Sequence, residues 1–163
     1  MTTTRTRKGM LQNVLISIWL LALPAAAWCT PSDPQETIGV VRNATGTATI
    51  TRGEHSLPAA AGTKLHAGDT LSTGFDGSLG VIFRDNSTLS LGPGSSIVIR
   101  SFLYAPREGK LGLLARISSG TMAYISGLIG KLSPQSVRFD TPVATIGIRG
   151  TYFAVIVGEP DTR

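Results

Sequence analysis

Short apolar runs separated by turn residues fill the sequence beyond residue 37, and this rhythm limits the folds that the chain can adopt. Turn signals such as Gly-Asp, Asp-Asn and Gly-Pro-Gly recur roughly every 8–12 residues, the spacing typical of strands in sandwiches, barrels and solenoids. Leu79, Val81 and Phe83 alternate along the chain, as one buried strand face requires. The 19 glycines suit strands and turns, because glycine costs about 1 kcal/mol per interior helix position relative to alanine. The sequence therefore predicts an all-β fold.

One segment, Leu111–Ile117, competes with this interpretation, because its apolar spacing could also begin a helix. Gly112 within it and Ser118-Ser119-Gly120 after it would end a helix at once, and no amphipathic helix longer than about ten residues is expected. The apolar content of 42% is that of a globular chain. We expect one all-β domain over residues 38–158, with its short strands stacked either as a β-solenoid (β-helix) or as a sandwich.

The closing run, Val143–Val157, is apolar at nearly every position, a pattern typical of internal strands that are covered on both faces. Gly147 and Gly150 interrupt it, and we expect a bulge or a close backbone approach there. Arg149 lies between them and must reach solvent or a partner, because an unpaired buried charge is costly. It would either tie strands together or contact a ligand. Its candidate partners are Asp140 and Asp69.

Residues 1–27 have the three parts of a secretory signal peptide. Met1–Gly9 is polar and basic, Val14–Leu23 is apolar, and an Ala-rich cleavage site ends at Ala27. The alternative is an uncleaved anchor, although the apolar stretch of about 15 residues is shorter than the roughly 20 that span a bilayer. We expect cleavage, a flexible segment over residues 28–37, a short tail over residues 159–163, and a periplasmic or otherwise extracytoplasmic or secreted domain.

Cys29 is the only cysteine, so the sequence predicts no internal disulfide. Bacterial lipoproteins carry a lipidated cysteine directly after the cleavage site, but here Trp28 occupies the position where they have a small residue. Contact with a membrane is therefore expected only if the leading segment is uncleaved or if Cys29 is lipidated.

The formal charge of +5 does not indicate nucleic-acid binding. Arg5, Arg7 and Lys8 belong to the leading segment, and without them 12 basic and 10 acidic side chains remain. The remaining basic residues are scattered, with no run of five like charges and no basic stripe among aromatic residues. We expect no nucleic-acid partner.

Residues that could carry catalysis or bind a metal do not form a known motif. His55 and His66 lie in no metal-ligand spacing, and no G-x-S-x-G nucleophile motif occurs. Four aspartates stand beside Gly, Asn or Thr, where an aspartate bonds the backbone of its own turn. They are Asp69, Asp76, Asp85 and Asp140. We expect no enzyme activity, no metal and no cofactor.

Several motifs together resemble the FecR domain of bacterial envelope proteins, over about Val40–Val157. The earlier ones are Leu65-x-x-Gly68-Asp69-x-Leu71-x-Thr73-Gly74, Asp76-Gly77-Ser78 and Phe83-x-Asp85-x-Ser87-x-Leu89-x-Leu91. The closing and most specific one is Thr141-Pro142-x-Ala144-x-x-Gly147-Ile148-Arg149-Gly150-Thr151-x-Phe153-x-Val155. We single out twelve motif residues as structural or partner-binding, with the role of each left open. They are Gly68, Asp69, Thr73, Gly74, Asp85, Thr141, Pro142, Gly147, Arg149, Gly150, Thr151 and Phe153.

The resemblance implies an extracytoplasmic all-β domain, of stacked or solenoid-like short strands, that acts by contact with other proteins. FecR-type sensors relay a signal from an outer-membrane siderophore receptor to a cytoplasmic sigma factor. They carry a sigma-binding region before a transmembrane helix and a receptor-contacting subdomain after the module. This sequence departs from that arrangement, since only Met1–Val14 precedes the apolar segment and only Gly158–Arg163 follows the module.

We therefore expect an exported binding or adaptor module whose partner is another envelope protein. One alternative is carbohydrate or peptidoglycan binding by an exposed β face with aromatic residues. The candidates are Phe75, Phe102, Tyr104, Tyr124 and Tyr152. The other alternative is FecR-type regulation of sigma-factor signalling through an uncleaved N-terminal anchor.

Overall fold

A computed structural model describes residues 36–158, and most of this part of the chain is β-strand. The strands in it are β1 (Thr37–Thr45), β2 (Ala48–Arg52), β3 (His55–Pro58), β4 (Lys64–His66), β5 (Thr70–Thr73), β6 (Ser78–Phe83), β7 (Thr88–Leu91), β8 (Ser96–Ala105), β9 (Lys110–Ile125), β10 (Val137–Asp140), β11 (Thr145–Gly147) and β12 (Tyr152–Val157). Helix α1 spans Leu128–Leu132, and 3₁₀ turns span Pro106–Glu108 and Pro134–Ser136. The expected signal peptide, nearly all of the flexible segment and the tail lie outside the described residues.

The strands form two hydrogen-bonded sheets that share β9. One sheet has the order β4-β1-β6-β7-β9-β12, and the other has the order β3-β2-β5-β8-β9-β10-β11. Within residues 36–158 every pairing is antiparallel except that of β9 with β10. The all-β prediction is confirmed. The arrangement is a curled, sandwich-like antiparallel sheet, whereas the strands of a β-helix stack in parallel.

Strand β9 passes from one sheet to the other at Gly120. Residues before it pair with β8 as far as Ser119, and residues from Gly120 onward pair with β12. Gly120 has a φ of +89°, and a Cβ there would lie 2.4 Å from the Cα atom of Ser95. The Ser95 hydroxyl accepts the Thr121 N–H at 2.9 Å and lies 3.0 Å from the Thr121 carbonyl oxygen. Only glycine fits both the left-handed conformation and the close approach at this bend.

Side chains from both sheets meet in one core. The alternating residues of β6 that the sequence predicts to be buried are buried. Phe139 of β10 contacts Tyr124 of β9 and Phe153 of β12, with ring centroids 5.0 and 6.1 Å apart. Phe83 of β6 stacks on Phe102 of β8 at 5.4 Å. Because each pair joins strands of different sheets, aromatic packing holds the two sheets together.

The segment Leu111–Ile117 lies within β9, so the strand prediction is confirmed over the competing helix. Helix α1 has five residues, in agreement with the expected absence of a long amphipathic helix from the domain. None of the helices within residues 36–158 has the length and apolar character needed to cross a membrane.

The prediction of one internal strand over Val143–Val157 is wrong. The segment forms two strands, β11 and β12, and the only hydrogen-bonded neighbour of β12 within the described residues is β9. Val143 and Ile156 are 93% and 79% exposed. A run that is apolar at nearly every position fits a strand covered on both faces, but it fits equally well a strand at a sheet edge with a bare outer face.

The expected close backbone approach at Gly147 and Gly150 is also absent, since a Cβ at either position would meet no atom within 4 Å. Gly150 instead has a φ of +150°, a conformation that disfavours other residues. Gly150 lies in the segment between the two short strands, whereas Gly147 is the last residue of β11.

Candidate functional site

Asp69 lies at the centre of a buried ion pair that joins β2 to the turn before β5. Arg52 Nε and Nη2 each donate to its carboxylate at 2.8 Å, and the His66 N–H donates to the same group at 2.8 Å. The Asp69 side chain is fully buried, and that of Arg52 is 33% exposed. The hydrogen bonds that Arg52 donates to Asp69 raise the pKa of Arg52. Gly68, with a φ of +90°, allows the turn that presents the Asp69 carboxylate to these donors.

Thr73 and Gly74 hold a second turn in place. The Thr73 hydroxyl donates to the Gly92 carbonyl at 2.7 Å and accepts the Ser95 N–H at 2.9 Å. Gly74 donates its N–H to the Thr47 carbonyl at 2.8 Å, and a Cβ at Gly74 would lie 2.9 Å from the Thr47 Cβ atom. Both motif residues therefore stabilise this turn.

Asp85 joins the turn between β6 and β7 to helix α1. Its carboxylate accepts the Ser87 N–H at 3.0 Å, the Ser87 hydroxyl at 2.6 Å and the Ile129 N–H at 3.2 Å. Its backbone carbonyl accepts the Leu128 N–H at 2.8 Å. The carboxylate is fully buried, and these donors compensate for its lost hydration.

The closing motif has a different environment, and most of it is exposed. Thr141 closes the β10–β11 turn, because its hydroxyl accepts the Ala144 N–H at 3.0 Å and its own N–H donates to the Ala144 carbonyl at 2.7 Å. Pro142 lies exposed in the same turn. Phe153 is one of the exceptions, since it packs against the core through Phe139.

Two bonds from Ser126 fix the backbone between β11 and β12. The Ser126 hydroxyl donates to the Gly150 carbonyl at 2.8 Å, and the Ser126 N–H donates to the Thr151 carbonyl at 2.9 Å. Thr151 itself is exposed. The backbone that follows Arg149 is therefore anchored although its side chains face solvent.

An open groove of about 530 Å³ lies beside this anchored segment. Its lining residues are Pro134, Gln135, Arg138, Gly147, Ile148 and Arg149. Of the twelve motif residues, the groove brings together Gly147 and Arg149 only. Sequence reasoning missed Arg138, although the alternation in Val137–Asp140 could have placed its side chain on the outer face of β10.

Arg149 does not tie strands together as one interpretation expected. The side chain is exposed, and within the described residues neither Asp69 nor Asp140 lies within 4 Å of its guanidinium nitrogens. Asp69 is paired with Arg52, and Asp140 accepts the Thr145 hydroxyl at 2.8 Å. Neither of the two candidate partners of Arg149 is therefore its partner, because pairing depends on strand order rather than on sequence distance.

The other titratable and polar groups are dispersed. His66 is partly buried, and burial lowers its pKa, with the Arg52 charge as a smaller cause. Burial raises the pKa of Tyr124 to about 12. Within residues 36–158 no three His, Cys, Asp or Glu side chains are grouped as a metal site would need. The expectation that the protein has no enzyme activity and no cofactor stays a prediction.

The aromatic candidates for sugar stacking do not form one surface. Tyr124 is fully buried, and Phe102 stacks on Phe83. Phe75 and Tyr152 are the strongly exposed ones, at 92% and 66%, and they lie in the β5–β6 turn and in β12. Tyr104 is partly buried against the core.

Comparison with known proteins agrees with the motifs. The family described as FecR protein matches residues 69–163, a range that includes eleven of the twelve motif residues and excludes Gly68. No curated protein and no solved structure shows significant similarity to the chain. FecR-domain proteins are generally associated with the bacterial envelope. The match covers more than half of the sequence, and the chain belongs to the FecR family.

Proposed function

We propose that this FecR-family protein is a non-enzymatic binding module of the bacterial envelope, and that it holds an extended segment of a partner protein against β12. The single observation that carries the proposal is the state of the sheet edges. Edge strands present unpaired backbone groups, so most proteins shorten them or protect them with charges or proline.

Three of the four edge strands in the described part of the chain have such protection. Strand β3 ends at Pro58, β4 has three residues and contains Lys64, and β11 has three residues. Strand β12 has six residues, YFAVIV, with no charge and no proline. Its outer face carries exposed Tyr152 and Ile156.

The apolar outer face continues onto the neighbouring strand. Ile125 of β9 is directly opposite Tyr152, and it is 51% exposed. An added partner strand would bond the free backbone edge of β12, and its alternate side chains would cover this apolar face. The uncharged edge favours an equally uncharged, β-branched partner segment over a charged one.

Photocrosslinking in the native cells tests this proposal. A photoreactive phenylalanine analogue replaces Tyr152, Ala154 or Ile156 in turn, and Ser56 on the protected edge strand β3 is the matched control position. We expect the three β12 positions to crosslink to alternate residues of one segment in an envelope protein, as strand addition requires.

Ile156→Lys should abolish these crosslinks, whereas Ser56→Lys should leave them intact. If the only crosslinks join two copies of this chain, the protein is a homodimer rather than an adaptor. If the Ser56 position captures the partner as efficiently as the β12 positions, the assignment to β12 is overturned. The periplasmic location is part of the same proposal, and recovery of the partner segment from a cytoplasmic protein would contradict it.

The carbohydrate alternative has less support, because its aromatic candidates are dispersed or buried. The sigma-factor alternative depends on an N-terminal anchor that lies outside the described residues.

A further inference from the structure

The groove beside β11 carries two arginines whose charges are not balanced within the described residues. Arg138 and Arg149 line it, and none of the lining residues in the described part of the chain is acidic. The ion pairs formed within residues 36–158 join Arg52 to Asp69, Arg84 to Glu36 and Lys110 to Glu108, so neither groove arginine is engaged. Within residues 36–158 the only hydrogen bond from the Arg138 side chain is a long one of 3.5 Å to the Gln135 carbonyl.

The groove is also preorganised. Ile148 is buried and donates its N–H to the Val137 carbonyl at 3.4 Å, while Ser126 fixes the backbone at Gly150 on the other side of Arg149. Gly147 stands opposite Arg138 in the β10–β11 ladder and carries no side chain that could fill the space. Two arginines thus line an open concavity beside an anchored backbone, and guanidinium matches a carboxylate in geometry as well as in charge.

We propose that this groove is a subsite for an acidic side chain of the same partner segment, and this inference rests on the proposed function. Two residues, Gly150 and Thr151, separate Arg149 from Tyr152 at the start of β12, a span of about 10 Å in an extended chain. A partner strand that pairs with β12 and continues beyond Tyr152 reaches the groove after roughly three residues. The partner segment is therefore uncharged where it pairs with β12, and it carries Glu or Asp just beyond the paired residues.

A titration that does not involve β12 tests the subsite separately. The ¹⁵N-labelled full-length chain in mild detergent is titrated with a blocked tetraglutamate peptide, with the matching tetraglutamine peptide, with inorganic phosphate and with vesicles that contain phosphatidylglycerol. The readout is the Nε–H resonances of Arg138 and Arg149. We expect saturable shifts with tetraglutamate at a Kd of about 1 mM or below, and binding of tetraglutamine at least about tenfold weaker.

Arg138→Gln and Arg149→Gln should each weaken tetraglutamate binding about tenfold. Arg42→Gln, an exposed arginine of β1 in the other sheet, is the control and should leave binding unchanged. The lack of a saturable shift, or a tighter response to phosphate or to the vesicles, would overturn the acidic-peptide subsite. If the β12 positions give no crosslinks in cells but tetraglutamate still binds, the proposed function is contradicted and the acidic-peptide subsite is not. If the protein that carries both Arg138→Gln and Arg149→Gln gives an unchanged yield of β12 crosslinks, the groove does not bind that partner.

Discussion

Arg52 and Asp69 form a two-pronged ion pair, with both nitrogen–oxygen distances at 2.8 Å and the carboxylate fully buried. The pair joins residues 17 positions apart and connects β2 with the turn before β5. Its carboxylate also accepts a backbone N–H from His66, so the ion pair and the turn stabilise each other. The stability of the domain therefore depends strongly on Arg52, which supplies the counter-charge of this buried carboxylate.

Arg52→Met should destabilise the domain by about 2–4 kcal/mol, because it leaves a buried carboxylate without its counter-charge. The value is at the lower end of the range for buried pairs, since Arg52 is one-third exposed. Arg84→Met is the matched control, because it removes the exposed pair with Glu36 and should cost at most about 1 kcal/mol. Denaturant unfolding measures both, and equal losses would contradict the assigned role of Asp69.

Gly120→Ala should destabilise by about 3 kcal/mol or more. The substitution combines a φ of +89° with a Cβ placed 2.4 Å from the Ser95 backbone, and backbone atoms cannot move aside cheaply. Gly112→Ala in the same strand should change stability by less than about 1 kcal/mol, because a Cβ there meets no atom within 4 Å. Thermal unfolding of the two variants checks whether β9 turns between the sheets at Gly120.

Tyr124→Phe should leave stability unchanged or raise it by up to about 1 kcal/mol. The Tyr124 hydroxyl is buried and makes no hydrogen bond of acceptable geometry within the described residues, so its removal relieves a desolvation cost. Tyr124→Ala, in contrast, should cost about 3–5 kcal/mol through the cavity it leaves beside Phe139. A large loss in Tyr124→Phe would reveal a hydrogen bond to that hydroxyl.

Alkaline pH should destabilise the folded domain through Tyr124. Burial raises the pKa of Tyr124 to about 12, while an unfolded tyrosine ionises near pH 10. Between these values the unfolded chain has lost the proton and the folded chain retains it, so stability falls as the pH rises above about 10. Unfolding curves of wild type and Tyr124→Phe should diverge in that range, with the variant less sensitive to pH.

Mild acid should destabilise the domain through His66. Burial lowers the pKa of His66 in the folded state, so below about pH 6.5 the unfolded chain takes up the proton first. This destabilisation is absent at higher pH, where His66 is neutral in both the folded and the unfolded chain, and it grows as the pH falls. His66→Gln should therefore lose less stability than wild type when denaturant unfolding is compared between neutral pH and pH about 5.

Much of the fold follows from local pattern. Turn residues at regular spacing and the alternation in β6 predict an all-β domain, and Asp69 and Asp85 bond the backbone of their own turns as their neighbours indicate. These features are local, since strand periodicity and turn chemistry act over two to four residues. The closing motif indicates the family in the same way, because the order and spacing of its residues are local as well.

The tertiary structure decided which apolar run is internal and which arginine is paired. The pattern of Val143–Val157 contains no information on how many neighbours β12 has, and that number follows from the order of strands in the sheet. In the same way Arg52 rather than Arg149 meets Asp69, because β2 lies beside β5 while the Arg149 segment lies beside Ser126. Local patterns in the sequence therefore predict the all-β class and indicate the family. Strand order, which depends on contacts between distant parts of the chain, decided the exposed edge of β12 and the groove of Arg138 and Arg149.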